Sequence, residues 1–103
     1  MSDNLRNHVE AQAELHQILS NPSRLLILRS LSEQAMSVGE LAEQIDASLQ
    51  NTSQHLRLMK DKGVVEARRD GQTIFYQVAD SEIGENCKQM LIVLDQKPEL
   101  KET

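Results

Sequence analysis

Apolar residues recur along most of this chain at the three-and-four spacing of helices, and only between residues 64 and 79 does the spacing change to alternation. From about Arg6 to Leu19, residues Ala11, Leu15, Ile18 and Leu19 fall on one side and predict a first helix. Asn21-Pro22 then punctuates the chain: Asn caps a new helix and Pro takes its first position, where no backbone N–H is needed. The second helix, Pro22 to about Glu33, carries LLILRSL and is apolar on nearly every side, which predicts the central, most buried helix. Ser37-Val38-Gly39-Glu40 is a capping box that opens a short helix with Val38, Leu41, Ala42 and Ile45 on one face. Asp46-Ala47 is a turn, and Ser48 caps the next helix, which runs to Gly63.

In this 48–63 helix Leu49, Leu56 and Met59 share one stripe, with Thr52 and Gly63 on the same side. Gln50, Asn51 and Gln54 cluster on the opposite face, and periodicity does not place Leu58. After Gly63, Val65 and Ala67 alternate with polar residues, then Ile74, Tyr76 and Val78 do the same. Between them, Asp70-Gly71 is a strong hairpin signal and predicts a type I′ turn with both residues at positive φ. Arg68, Arg69 and Gln72 then stand at or near the hairpin tip. A last helix starts near Asp80, carries Ile83, Cys87, Met90, Leu91 and Leu94 on one stripe, and ends before Pro98. Ile92 and Val93 broaden its apolar face, which predicts packing against a second subunit together with the first helix. The tail KPELKET is expected to be disordered.

The expected fold is therefore mainly α with a β-hairpin: helix, helix, helix-turn-helix, hairpin, helix. One winged helix-turn-helix domain spans 1–103, with 6–19 and 80–97 as dimerisation helices, 37–63 as helix-turn-helix and 64–79 as wing. At 103 residues the chain has room for one modest core.

The amide face gives the 48–63 helix its chemical character. An ordinary solvated helix face carries Glu and Lys, whereas Gln and Asn pair in bidentate fashion with adenine edges in a DNA major groove. The net charge of −5 argues against a nucleic-acid binder until its distribution is considered. Residues 55–69 hold Arg57, Lys60, Lys62, Arg68 and Arg69 against Asp61 and Glu66, a local +3, leaving −8 for the remainder. Phe75 and Tyr76 are the only aromatic residues, which argues against base-stacking recognition of single strands or RNA. No apolar run reaches 18 residues and no leader is evident, so neither a membrane span nor export is expected. The single cysteine makes no internal disulfide and fits a reducing cytoplasm.

Taken in order, LSNPSRLLILRSL, SVGELAEQI, SQHLRLMKDKGVV and RRDGQTIFYQV closely resemble the ArsR/SmtB family of bacterial winged-helix repressors over roughly residues 13–79. The resemblance implies a homodimer formed by the first and last helices. It also implies double-stranded DNA as partner, an imperfect inverted repeat near a promoter, and an inducing signal that lowers DNA affinity. Position by position, Gln50, Asn51, Ser53, Gln54 and His55 match the family's groove-facing residues, while Arg68, Arg69 and Gln72 match its wing. Arg57 and Lys60 join them as phosphate contacts from the basic middle of the chain.

The chain departs from the family's metal-responsive pattern. Ala35-Met36-Ser37 stands where such members carry a cysteine, so no thiolate is offered there. Asp80 and Glu82 match half of a last-helix zinc set, but Val93 and Gln96 occupy the other half. His8 and His16 lie eight residues apart on the first helix and read as surface or core residues. No metal or cofactor is expected. Cys87 reads first as a small buried hydrophobe, and alternatively as a redox or reactive-sulfur sensor. A protein-interaction winged helix without specific DNA binding is the competing function. An enzyme is the weakest reading, since no catalytic grouping stands out.

Overall fold

Most helices of this protein begin where a side chain takes up their free backbone donors. The computed structural model describes residues 3–95, comprising α1 (Asp3–Ile18), α2 (Pro22–Glu33), β1 (Met36–Ser37), α3 (Val38–Gln44), α4 (Leu49–Asp61), β2 (Val65–Asp70), β3 (Thr73–Val78) and α5 (Glu82–Asp95). Asn21 Oδ1 accepts from Arg24 N–H at 3.1 Å, and Ser48 Oγ accepts from Asn51 N–H at 3.0 Å. The capping box is reciprocal: Glu40 N–H donates to Ser37 Oγ at 3.2 Å and Ser37 N–H donates to Glu40 Oε1 at 2.9 Å. Ser81 Oγ accepts from Gly84 N–H at 3.1 Å, so α5 starts at Glu82 rather than near Asp80. At the other end of the chain, α1 starts at Asp3, three residues before the apolar stripe makes it legible.

Schellman closures end α3 and α4. Ala47 N–H reaches Ala42 O at 2.9 Å with Asp46 at φ 55°, and Val64 N–H reaches Met59 O at 2.9 Å with Gly63 at φ 79°. The first closure makes the tight turn of the helix-turn-helix, and the second delivers the chain into the wing.

The sheet has three antiparallel strands in the order β1-β3-β2. β1 is not expected from the sequence, because two residues carry no period; it pairs Met36 with Tyr76 and Ser37 with Phe75. In the hairpin Val65 faces Val78 and the register runs to Asp70 opposite Thr73. The two-residue loop is therefore Gly71-Gln72, one position later than expected. Of these only Gly71 has positive φ, 66°, which matches a II′ turn rather than I′. Placing glycine first in the loop leaves Asp70 and Gln72 at negative φ, where side chains are unstrained.

The core joins Ile27, Leu28 and Leu31 of α2 to Leu41, Leu56, Met59, Val64, Val65, Val78, Cys87 and Leu91. α2 is central, packing against α3, α4, α5 and β3, but it is not buried all round: Leu26 is 46% exposed. Gly84 lets α5 seat closely. A Cβ there would stand 2.0 Å from Ala79 O, so the first turn of α5 lies directly on the chain leaving β3.

α1 differs from the other helices. Only Ile18 is buried along its 16 residues, Leu15 is half-buried, Ala11 is exposed, and Leu5 and Val9 are 50% and 45% exposed. The Cα radius of gyration of 14.9 Å exceeds the ~13 Å of a compact chain of about 100 residues, consistent with a long helix lying outside the core. The expectations for the KPELKET tail, for Gln96 and for the side chains of Val93 and Leu94 lie outside the described residues.

Candidate nucleic-acid interface

α4 is held by one face and free on the other. Thr52, Leu56 and Met59 are fully buried, and Thr52 Oγ1 donates back to Ser48 O at 2.8 Å. Gln50, Asn51, Ser53, Gln54, Arg57 and Lys60 are all exposed. The structure thus brings the amides, one hydroxyl and two cations onto the surface of one helix whose rotation the core dictates. Leu49 is in phase with the buried stripe but is 58% exposed, because the first turn of α4 extends past the core. Leu58, which periodicity leaves unplaced, is half-buried and lines a hollow with Ala13, Gln17 and Ile18 of α1.

His55 sits apart from its neighbours. It is half-buried, with Nδ1 3.5 Å from Arg24 Nη1, while Arg24 Nε donates to Ile18 O at the end of α1. Burial, reinforced by the Arg24 charge, holds the imidazole below its ordinary pKa. Arg24 carries no sequence signal of this role. It lies in the LSNPSRLLILRSL motif, but nothing in the spacing shows that it spans from α1 to α4.

The basic middle of the sequence is also less free than its charge count suggests. Lys62 adds to that count, yet its Nζ is paired with Glu14 of α1. The cations of this region whose side chains stand exposed on α4 and the wing are Arg57, Lys60, Arg68 and Arg69.

Strand alternation decides how the wing presents its arginines. Arg69 is paired with Ile74 on the face that carries Val65, Ala67, Tyr76 and Val78, whereas Arg68 is paired with Phe75 on the other face. The two guanidinium groups therefore leave opposite sides of the ribbon, with exposed Gln72 between them at the tip. Ile74, although on the core face, is 41% exposed because the hairpin projects beyond the core. At the base of the wing Glu66 Oε1 accepts from Gln77 Nε2 at 2.8 Å and from Asp80 N–H at 3.4 Å, which ties the ribbon to the start of α5.

The sensing candidates are dispersed. Among the described residues no three His, Cys, Asp or Glu side chains stand close enough to hold a metal ion. His8 and His16 are exposed on α1, and Asp80 and Glu82 are exposed before and in the first turn of α5. Cys87 is fully buried in the core, and burial pushes its thiol up to about 11. Such a thiol is neutral at physiological pH and shielded from solutes, the environment of an unreactive core cysteine.

A family model described as a helix-turn-helix domain matches residues 19–68. Over 80 residues the chain is 39% identical to the HTH-type transcriptional regulator YgaV of Escherichia coli, covering 77% of this chain and 81% of that protein. It is 38% identical over 79 residues to the HTH-type transcriptional regulator KmtR of Mycobacterium tuberculosis, where the match covers 77% of this chain but 58% of the relative. Among solved structures, it is similar to the homodimeric winged helix-turn-helix DNA-binding domain of a possible ArsR-family transcriptional regulator from Mycobacterium bovis. That similarity has a TM-score of 0.81 at 27% identity, covering 100% of this chain and 94% of the other.

Proposed function

Because the chain belongs to the ArsR/SmtB family of winged helix-turn-helix transcriptional regulators, we propose that it is a homodimeric repressor of an inverted-repeat operator. α4 enters the major groove and reads bases with Gln50, Asn51, Ser53 and Gln54. Arg57 and Lys60 on α4, with Arg68, Arg69 and Gln72 on the wing, meet the phosphate backbone. His55 serves chiefly to seat α4 against Arg24. The observation that carries this reading is the neutral amide row exposed on a helix whose opposite face is fully buried. Amides facing water gain little for the protomer, whereas in a groove each supplies a donor and an acceptor to a base edge.

Dimerisation follows from the reach of α4. One short helix reads only a few base pairs, and two copies about 34–36 Å apart read successive major-groove faces. α1 and α5 supply the dimer surface. Val9 of α1 and Ile83 of α5 are 45% and 41% exposed, and the two helices border a hollow of about 260 Å³ where Ala11, Leu15 and Ile83 lie among polar residues that include Glu14, Lys62 and Glu82. Burying Val9, Ala11 and Ile83 against a second copy removes apolar surface from water at roughly 25 cal/mol per Å².

The test is fluorescence-anisotropy titration with promoter duplexes across a range of salt, alongside sedimentation of the free protein. If Arg57, Lys60, Arg68 and Arg69 of each protomer all meet phosphate, log K falls with log salt at a slope of about −7. A shallow slope, or a protein that sediments as a monomer at the concentrations that bind DNA, overturns the proposal.

A further inference from the structure

Leu49 is the most exposed large apolar side chain among the described residues, and it occupies the first position of α4. Helical Cβ atoms tilt toward the N-terminus, so a side chain at this position projects off the end of the helix. In a helix-turn-helix that N-terminal end is the part that meets base edges. Leu49 immediately precedes Gln50 and shares a shallow hollow with Ala42 and Ala47, bordered by Glu43 and Asp46. The two carboxylates repel phosphate, so a DNA contact at this corner goes to a base. Leucine has neither donor nor acceptor to offer that base. The one apolar group on the major-groove edge of the standard base pairs is the C5-methyl of thymine.

We propose that Leu49 is a specificity-determining residue that packs on a thymine methyl in each half-site, beside the base read by Gln50. The proposal rests on the DNA-reading function above and adds to it a base identity set by shape rather than by hydrogen bonding. Exposure in the free protein is then the cost of keeping an apolar contact ready for the groove.

The experiment starts by selecting duplexes from a random pool with the purified protein, and the recovered sequence becomes the probe. Each thymine is then replaced by uracil, which lacks only the methyl group, at symmetric positions of the two half-sites. At one symmetric position uracil is expected to weaken binding about fourfold per half-site, the ~0.8 kcal/mol of one buried methyl-sized group. For a dimer engaging both half-sites the loss is about 16-fold. Leu49→Ala is expected to bind the thymine and uracil duplexes equally while melting at the wild-type temperature, since the side chain is exposed. A uracil series without effect at any thymine overturns the inference, as does a Leu49→Ala protein that still distinguishes thymine from uracil. A pool that yields no enriched sequence overturns the DNA-reading function itself, and this inference with it.

Discussion

Two glycines in the first turns of helices respond oppositely to the same substitution. Gly39 is the second residue of α3, and a Cβ added there meets only Ser37 Oγ at 3.9 Å, ordinary contact. Gly84 occupies the first turn of α5, where the added Cβ would stand 2.0 Å from Ala79 O and 2.9 Å from its carbonyl carbon. Gly39→Ala restricts the unfolded chain and suits a helix, so it stabilises by about 0.5–1 kcal/mol. Gly84→Ala collects the same gain but must move a helix away from backbone, by about 1.4 Å to reach the 3.4 Å of normal contact. That movement strains the packing of Cys87 and Leu91 farther along α5, and overpacking of this kind costs about 1–3 kcal/mol. It also lengthens the Gly84 N–H to Ser81 Oγ cap, worth about 1 kcal/mol. The net expected loss is about 1–3 kcal/mol. At ~4–8 °C per kcal/mol for a domain of this size, the melting temperature falls by about 5–20 °C, against a rise of a few degrees for Gly39→Ala. Thermal melts by circular dichroism at one fixed protomer concentration compare the variants, since a dimer's melting point depends on concentration. A Gly84→Ala protein at least as stable as wild type would refute the close seating of α5 on Ala79.

Gln54→Ala is expected to weaken operator binding by about 1–3 kcal/mol and to relax preference at one position per half-site, read from competition with substituted duplexes. Intact specific binding would mean that the amide face is not the reading face. Arg69→Ala should weaken operator and random DNA alike and flatten the salt slope by about one unit for each phosphate no longer neutralised; a weakening confined to the operator would show that the wing reads bases. For His55 the sign follows from its lowered pKa: the unfolded chain binds the proton more readily, so stability declines as pH falls through the ordinary imidazole range near 6.5. Urea denaturation at stepped pH should show this decline reduced in His55→Gln, and identical pH profiles would exclude a protonation penalty at that site. Cys87, with its thiol pushed to about 11, is expected to resist iodoacetamide in the native protein and to react on unfolding. Rapid native alkylation, followed by mass spectrometry, would show that the core opens at α5.

What the sequence alone determined here is local. Caps at Asn21, Ser37 and Ser48 announce three helix starts because each needs only a side-chain oxygen and the next turn of backbone. The 3.6-residue and two-residue periods set the helices, the wing and the buried side of α4, and with that side buried the amides had to face outward. What only the tertiary structure decided depends on where elements end relative to the core, and no period encodes that distance. Leu49 and Ile74 sit in phase with buried residues yet are exposed, because α4 and the wing both run past the packed centre. Lys62 and His55 lie among the basic and groove-facing residues in sequence, but Glu14 and Arg24, from helices distant in the chain, claim them. β1 exists only because β3 offers it an edge. Side-chain chemistry repeats within a few residues and is legible there, whereas pairing across tens of residues is settled by packing alone.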